Sequence, residues 1–277
     1  MTNKKNSKWT VNRHHGLGDV VLLLPLLNKL LAQGTTVSVG TRPEWANIFQ
    51  DLVPEVDWVA GHIPEAADLD AMTKDIKPEE HRTDEFGRLL KIPQPFEEPF
   101  VKVPEKWKTP FSHLSNCTVF APEAEHVARR APETWAVDVA KLLRGRPSVL
   151  VGNNTKTNFP ADHDYRGRTS VQDLFAILAV AGTVLCMDSG VLHLAAAVGV
   201  PTIAVFGGVT PEFRIRKSQK VLALQADIDC CPCNKNESCN GLYQCLTSFS
   251  PANIITAIDY APHLEGLKVI RTINELS

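Results

Sequence analysis

The sequence predicts an α/β protein of two domains, each built on a parallel sheet. Short apolar runs alternate with helical runs along most of the 277 residues, and such alternation is typical of strand–helix–strand units. A chain of this length suggests roughly two domains at about 150 residues each. A charged, proline-rich segment at 64–110 interrupts the alternation. We therefore predict domains over 1–112 and 113–277.

The predicted elements fall into two series, one in each domain. In the first series we expect strands over 8–15, 35–40 and 56–60, and helices over 19–31 and 42–52. Pro25 should bend the first helix and Gly34 should end it. In the second series we expect strands over 117–121, 148–152, 183–187 and 202–206, and helices over 131–143, 171–181, 191–199 and 251–260.

Composition excludes several broad classes of protein. With 44% hydrophobic and 22% charged residues, the chain is not disordered. Its net charge of −2 argues against a purely electrostatic nucleic-acid binder. The longest apolar runs are far shorter than the ~20 residues of a membrane span, and the polar N-terminus does not resemble a signal peptide. We therefore predict a cytoplasmic protein without a transmembrane segment.

A glycine-containing turn, Gly16-Leu17-Gly18-Asp19, separates the first predicted strand from the first predicted helix. Gly16 and Gly18 would let the backbone approach a ligand closely, and the helix N-terminus offers free amides and the positive end of the helix dipole. Asp19 stands where an N-cap would stand. A binding turn and a plain structural cap both fit these residues.

A second turn, Asp188-Ser189-Gly190, follows the strand at 183–187 and precedes a helix that contains His193. The amides of Ser189 and Gly190 would suit an anionic group such as a diphosphate. Asp188 could accept hydrogen bonds from sugar hydroxyls, because ligands of open α/β sheets bind beyond the carboxyl ends of strands. A helix cap for Asp188 and a buried core histidine for His193 are the structural alternatives.

Gly207 and Gly208 form another loop after the strand at 202–206. A basic stretch follows this loop, and it contains Arg214, Arg216, Lys217 and Lys220. These cations could extend an anion site or follow the backbone of a nucleic acid.

Together these motifs resemble the glycosyltransferases of family 9, the ADP-heptose:lipopolysaccharide heptosyltransferases. Gly16-Leu17-Gly18-Asp19-Val20 and the following Pro25-Leu26-Leu27 are similar to the family's N-terminal signature. Gly167-Arg168-Thr169-Ser170 and the run from Asp188 to Ala197 are similar to its C-terminal signature. The resemblance covers roughly residues 8–35 and 165–258.

The resemblance implies a GT-B fold, in which two Rossmann-like domains face each other across a cleft. It implies an inverting, metal-independent transfer of a sugar from a nucleotide-diphosphate sugar to an acceptor hydroxyl. On this basis Asp19 is the general base, Asp188 holds donor hydroxyls, and Ser189, Gly190 and His193 line the donor site. The four glycines Gly16, Gly18, Gly207 and Gly208 would form the cleft loops.

The family's diphosphate-binding lysine precedes a Trp-Pro pair, whereas this chain has Arg129-Arg130-Ala131-Pro132 in that region. Arg129 is the nearest match and Arg130 its competitor. Either guanidinium could stabilise the charge that develops on the leaving diphosphate. A solvated turn is the structural alternative for such an arginine pair.

Five of the seven cysteines lie within residues 230–245. Cys230, Cys233, Cys239 and Cys245 could supply four thiolates to a structural zinc or iron ion, with Cys231 as the spare. Packed reduced thiols or disulfides formed during handling are the alternatives. Two Asp-x-Asp pairs, Asp68-Leu69-Asp70 and Asp162-His163-Asp164, do not follow apolar strands, so we predict surface loops there and no catalytic metal.

The acceptor remains open between a glycan or lipid, a modified DNA base and a protein side chain. A catalytically inactive binding relative is an alternative of another class. A nucleotide-dependent oxidoreductase is disfavoured, because the glycine fingerprint for a dinucleotide is incomplete.

Overall fold

The computed structural model describes residues 8–74, 79–233 and 243–276. The chain forms two compact units that divide between Lys102 and Val103. This division lies before residue 112, where the sequence placed the boundary. Each unit has its own parallel sheet.

The first unit contains a four-stranded sheet. Its elements are β1 (Lys8–Asn12), α1 (Leu17–Ala32), β2 (Thr36–Thr41), α2 (Pro43–Leu52), β3 (Asp57–Ala60), β4 (Ala67–Asp68), α3 (Leu69–Thr73) and α4 (Arg82–Leu89). The strand order is β3-β2-β1-β4, and the paired strands are parallel. The loops that follow β1 and β2 therefore emerge at the same edge of the sheet.

The second unit contains a seven-stranded sheet. Its elements are α5 (Glu105–Lys108), β5 (Thr118–Ala121), α6 (Glu133–Leu142), β6 (Ser148–Leu150), β7 (His163–Asp164), α7 (Val171–Val180), β8 (Thr183–Met187), α8 (Gly190–Val198), β9 (Thr202–Phe206), β10 (Val221–Gln225), α9 (Pro251–Tyr260) and β11 (Lys268–Ile270). The order is β11-β10-β9-β8-β5-β6-β7, again with parallel pairs. The predicted fold class is confirmed: both units are α/β with parallel sheets.

The helix α1 shows how an apolar run becomes the core of the first unit. The residues from Val20 to Leu27 are all buried, so this helix is covered on nearly every side. It continues through Pro25 to Ala32, and Gly34, with φ 78°, follows its end in the left-handed region that glycine adopts easily. Within the described ranges, no helix is long and apolar enough to cross a bilayer.

Several elements differ from the sequence-based expectation. The strand β10 was not predicted, because its five residues form a short, fully buried run without a diagnostic period. The helix α4 lies in the segment that was interpreted as connections. Half of its eight residues are charged, and Phe86 is the large apolar side chain that anchors it.

The end of β1 is tied to the loop after β3 by one buried side chain, Asn12. Its Nδ2 donates to the carbonyl oxygen of Ile63, and its Oδ1 accepts from the Ile63 amide, both at 2.9 Å. This side chain passes over Gly40 of β2, where a Cβ atom would lie 2.1 Å from Asn12 Oδ1 and 2.7 Å from the carbonyl oxygen of Gly61. Gly40 therefore allows the contact that fixes the end of β1.

We predict that Gly40→Ala lowers the free energy of unfolding by about 2–4 kcal/mol, because the methyl group must displace a buried, hydrogen-bonded amide. The matched control is Gly34→Ala, where nothing lies within 4 Å of the new methyl group. There we expect a loss of about 1 kcal/mol, from backbone strain alone. Urea unfolding monitored by tryptophan fluorescence measures both values, and equal losses in the two variants would contradict the packing argument.

Candidate active site

In the first unit, the candidate site is the turn between β1 and α1. The helix begins at Leu17, so Asp19 lies in its first turn, and Gly16 is the residue that precedes the helix. Gly16 has φ 76°, and a Cβ atom there would lie 2.9 Å from Asp19 Oδ2. The structural alternative of an N-cap at Asp19 is therefore wrong. Gly18, the other glycine of the motif, is buried within the helix.

The Asp19 carboxylate is held by Arg13, a residue that is only 3% exposed. Arg13 Nη2 donates to Asp19 Oδ2. The other end of the same guanidinium donates to Thr73 Oγ1 at 2.8 Å and lies 3.1 Å from Asp70 Oδ1. Arg13 thus joins the carboxylate of α1 to the helix α3.

The sequence predicts a surface loop at Asp68 and Asp70, but the structure places these residues at the end of a strand and in a helix. Asp68 ends β4 and caps α3 through the amides of Asp70 and Ala71. The Asp70 carboxylate accepts from the amides of His14 and His15 at 2.8 and 3.1 Å. These bonds fix the turn from which Arg13 reaches Asp19.

A second guanidinium, that of Arg82 in α4, faces the other oxygen of Asp19. Arg82 Nε lies 3.4 Å from Asp19 Oδ1, and its Nη1 pairs with the buried Glu85. Burial by itself would lower the pKa of Arg82, but the carboxylates of Asp19 and Glu85 outweigh this effect and raise it. The Asp19 side chain keeps 23% of its surface exposed, so it lies between two cations and remains accessible.

In the second unit, the candidate site begins at Asp188, directly after β8. Asp188 is 1% exposed, and Ser189 precedes α8 without capping it through its side chain. Among the described residues, neither Asp188 Oδ1 nor Ser189 Oγ has a hydrogen-bond partner, although both atoms are buried. Gly190 opens α8, and His193 is buried in its first turn.

Two arginines approach the Asp188 carboxylate, one at each oxygen. Arg129 Nη1 lies 3.7 Å from Oδ2, and Arg214 Nε lies 3.9 Å from Oδ1. Arg130 points elsewhere: its Nε and Nη2 donate to the carbonyl oxygens of Ala124 and Glu125. The structure therefore places Arg129 beside Asp188 and adds Arg214 from the basic stretch.

Arg130 borders a cavity of about 330 Å³ beyond the carboxyl ends of β5 and β6. Its polar walls include Glu123, Asn154 and Thr157, and Phe159 and Tyr243 supply aromatic surface. This is the edge of the sheet where open α/β proteins bind ligands. The second unit thus offers a concave site with polar and aromatic walls. One of its lining residues, Arg130, directly follows Arg129 in the sequence.

The other Asp-x-Asp pair is part of the sheet edge. His163 and Asp164 form β7, which was predicted as a loop, and Asp162 accepts from the amide and hydroxyl of Ser148. Asp164 pairs with Arg166, whose hydrogen bonds lower the pKa of the carboxyl group. Both carboxylates of this pair therefore have structural partners.

The loop at Gly207 and Gly208 contacts the cysteine-rich segment. Cys231 Sγ lies 3.2 Å from the carbonyl oxygen of Gly207, and a Cβ atom at Gly207 would lie 3.1 Å from Cys245 Sγ. A hydrogen bond between these thiols lowers the pKa of Cys245 to about 7 and raises that of Cys231. Cys231, the predicted spare, is therefore paired with Cys245.

The predicted metal ligands do not form a site in the described part of the chain. Cys239 lies outside the described residues, and within them no three His, Cys, Asp or Glu side chains are placed to hold a metal ion. Because one of its four predicted ligands is not described, the four-thiolate site is not tested, and a structural zinc or iron ion stays a prediction.

Comparison with known proteins finds similarity to one family of enzymes. The profile of glycosyltransferase family 9 (heptosyltransferase) matches residues 151–244. Lipopolysaccharide heptosyltransferase 1 of Pseudomonas aeruginosa is 37% identical over 68 residues, which are 24% of this chain and 19% of that protein. Lipopolysaccharide heptosyltransferase 2 of Salmonella typhimurium is 25% identical over 198 residues, which are 64% of this chain and 57% of that protein.

Solved structures agree with the sequence comparison. ADP-heptose lipopolysaccharide heptosyltransferase II of Escherichia coli superposes with a TM-score of 0.70 at 16% identity, covering 93% of this chain and 98% of that one. The iron-containing dodecameric glycosyltransferase TibC of enterotoxigenic Escherichia coli gives 0.71 at 12% identity, covering 94% of this chain and 76% of that one. These structures confirm the GT-B fold class.

The predicted resemblance to glycosyltransferase family 9 is therefore confirmed: over the matched regions this chain is similar to heptosyltransferases of that family. The matched regions span 19% of the length of the Pseudomonas aeruginosa protein and 57% of the length of the Salmonella typhimurium protein. The family match also covers Asp188, Ser189, Gly190, His193 and Arg214, whereas Asp19 lies outside it.

We predict that Arg13→Met lowers the free energy of unfolding by about 3 kcal/mol, because it leaves the Asp19 and Asp70 carboxylates without their shared buried cation. Arg88→Met is the matched control, since Arg88 forms an exposed ion pair with Glu80. Such a pair contributes at most about 1 kcal/mol. If chemical denaturation shows the same loss in both variants, Arg13 does not organise the turn.

A second prediction concerns the thiol pair in reduced, metal-free protein. Alkylation of Cys245 by iodoacetamide should increase with pH around a midpoint of about 7, because the Cys231 thiol stabilises the Cys245 thiolate. Cys231→Ala should move this midpoint upward. The internal control is Cys186, whose pKa burial raises, so it should remain unmodified in folded protein.

Mass spectrometry of peptides alkylated across the pH range measures each site separately. A Cys245 midpoint that Cys231→Ala does not move would contradict the pairing. Elemental analysis of protein purified without chelators tests the structural metal separately, and substoichiometric zinc and iron would contradict it.

Proposed function

We propose that this protein is a glycosyltransferase that moves a sugar from a nucleoside-diphosphate sugar to an acceptor hydroxyl, with inversion and without a catalytic metal. The observation that carries the proposal is the buried Asp188 carboxylate. One of its oxygens accepts no hydrogen bond from the part of the chain that the structure describes. Arg129 and Arg214 lie on its two sides, and the N-terminus of α8 follows it directly.

The charges around Asp188 favour an anionic ligand. Two guanidinium groups carry one positive charge more than a single carboxylate neutralises, and the N-terminus of α8 adds a partial positive charge. At 3.7 and 3.9 Å the arginines attract Asp188 without hydrogen-bonding it. Their N–H groups can therefore turn to phosphate oxygens, which guanidinium binds in a bidentate manner.

The same arrangement explains how the donor's sugar could be held. Asp188 Oδ1 and Ser189 Oγ are buried polar atoms that need partners, and a sugar hydroxyl can donate to the first and accept from the second. The structure of TibC has been determined with ADP-D-beta-D-heptose, and that of the Escherichia coli heptosyltransferase WaaC with ADP. By this similarity we propose an ADP-linked sugar as donor.

In the proposed reaction Asp19 is the general base. The acceptor oxygen attacks the anomeric carbon and transfers its proton to the Asp19 carboxylate, while the bond between that carbon and the diphosphate oxygen breaks. One displacement of this kind inverts the anomeric centre. Arg13 and Arg82 hold the carboxylate in place, and Arg129 and Arg214 offset the negative charge of the leaving diphosphate.

These two arginines provide the positive charge that the leaving diphosphate requires, and this supports the proposal that no metal takes part in the transfer. The thiol pair of Cys231 and Cys245 has no role in the proposed step. We place the reaction in the cytoplasm, as the sequence predicts.

The acceptor is a hydroxyl of a glycan or a glycolipid in this proposal, because the matched relatives are lipopolysaccharide heptosyltransferases. A DNA acceptor would be favoured by an exposed basic stripe. The basic stretch after Gly208 does not form one, since Arg214 is buried whereas Lys217 and Lys220 are exposed. The alternative, a catalytically inactive binding protein, differs from an enzyme in that it would bind the donor without turning it over, which the experiment below measures.

We expect Asp19→Asn to lower the rate of donor hydrolysis, and of transfer once an acceptor is identified, by about 10²–10⁴-fold, the usual contribution of a general base. The donor is first chosen by a thermal-shift screen of ADP-, UDP- and GDP-linked sugars. Release of the nucleoside diphosphate then measures turnover. Because Asp19 is not placed in the donor site, binding of the donor should be unchanged.

Asp51→Asn, an exposed aspartate of α2, is the matched control and should retain full activity. Wild-type turnover by Asp19→Asn would remove Asp19 from the mechanism. Binding of a nucleotide sugar by the wild-type protein without any turnover would instead favour the inactive binding relative.

A further inference from the structure

The basic stretch after Gly208 contains two kinds of side chain. Lys217 and Lys220 are exposed on the surface of the second unit, as solvated cations usually are. The Arg214 side chain is only 10% exposed. It follows a short 3₁₀ turn, Pro211–Phe213, which leads the chain from the loop after β9.

The contacts of Arg214 do not explain its burial. Its Nε lies 3.9 Å from Asp188 Oδ1, too far for a hydrogen bond. Across the described ranges its guanidinium makes no hydrogen bond, although this group has five N–H donors. Removing such a cation from water costs several kcal/mol unless it is paired and hydrogen-bonded. No described residue accepts a hydrogen bond from this guanidinium, so its N–H groups are available to a ligand.

The carboxylate oxygen that Arg214 faces also lacks a hydrogen-bond partner among the described residues. Asp188 Oδ1 is buried and accepts no hydrogen bond from a described residue. Arg129 approaches the other oxygen of the same carboxylate at 3.7 Å and remains partly exposed. Arg129 and Arg214 offer hydrogen-bond donors, and the Asp188 carboxylate between them offers a buried acceptor. A ligand that carries both anionic oxygens and hydroxyl groups would complete this hydrogen-bond network.

We propose that Arg214 is a second cation of the donor's diphosphate site and that it acts together with Arg129. This inference rests on the proposed function. It narrows the basic stretch, whose four cations the sequence offers as a possible extension of an anion site, to one residue, Arg214. Two guanidinium groups match the two phosphates of the donor, and a single one would suffice for a monophosphate. Arg214 should therefore contribute to the preference for a nucleoside diphosphate over a monophosphate and to stabilisation of the leaving group.

Calorimetric titration with ADP, GDP and UDP first identifies the diphosphate that the wild-type protein binds most tightly. Arg214→Met retains the volume and burial of the side chain but removes its charge and donors. We expect its affinity for that diphosphate to fall about 10–100-fold, the effect of losing charge-assisted hydrogen bonds. Affinity for the matching monophosphate should change less than about threefold, so the preference for the diphosphate is lost.

Two further variants control for structural effects. Lys217→Met removes an exposed cation from the same stretch, and it should retain wild-type affinity for both nucleotides. Arg214→Lys retains the charge but not the planar fork of donors. Its affinity for the diphosphate should lie between those of wild type and Arg214→Met. If Arg214→Met proves too unstable to titrate, a lower affinity of Arg214→Lys than of wild type is the result that supports the inference.

Donor hydrolysis provides a second readout. If Arg214 stabilises the leaving group, the kcat of Arg214→Lys should fall at saturating donor. Wild-type affinity for the diphosphate in both Arg214 variants would overturn the inference, as would equal losses for diphosphate and monophosphate. Failure of the wild-type protein to bind any nucleoside diphosphate or inorganic pyrophosphate would instead contradict the proposed function itself.

Discussion

A carboxylate between two guanidinium groups stands at the carboxyl end of a parallel sheet in each unit of this protein. In the first unit it is Asp19, with Arg13 and Arg82. In the second it is Asp188, with Arg129 and Arg214. Because a buried or half-buried charge is costly without compensation, the loops around each sheet end must converge on these groups. Much of the local architecture follows from that requirement.

The two clusters differ in how tightly they are closed. Both terminal nitrogens of Arg13 are hydrogen-bonded within the first unit, to Asp19, to Thr73 and to the carbonyl oxygen of Leu69. Its buried Nε has no partner among the described residues. Arg129 and Arg214 lie at ion-pair distances from Asp188 and do not hydrogen-bond it. A closed network suits a side chain that must be held in one orientation. An open one suits a site whose hydrogen bonds are completed by a ligand.

Parallel strands allow both clusters because they bring loops from distant parts of the sequence to one edge. Asp70 follows β4, yet it binds the turn after β1, since β1 and β4 are adjacent in the sheet. In the same way β8 and β9 are neighbours, so the loop after β9 leads Arg214 toward Asp188. Strand order therefore determines which charges meet.

The sequence by itself determined the α/β class, the strands 183–187 and 202–206, the helix 251–260 and the turn that carries Asp188. These depend on short-range patterns of apolar residues, glycine and caps, which a linear reading contains. The position of Arg129 before Pro132, compared with the lysine of the family that the chain resembles, predicted Arg129 rather than Arg130 as the donor-binding residue, and this stays a prediction. Only the tertiary structure paired Asp19 with Arg82, 63 residues away, and Asp188 with Arg214, or joined Cys231 to Cys245. Such partners are selected by strand order and by the compensation of buried charge, and neither leaves a local signal in the sequence.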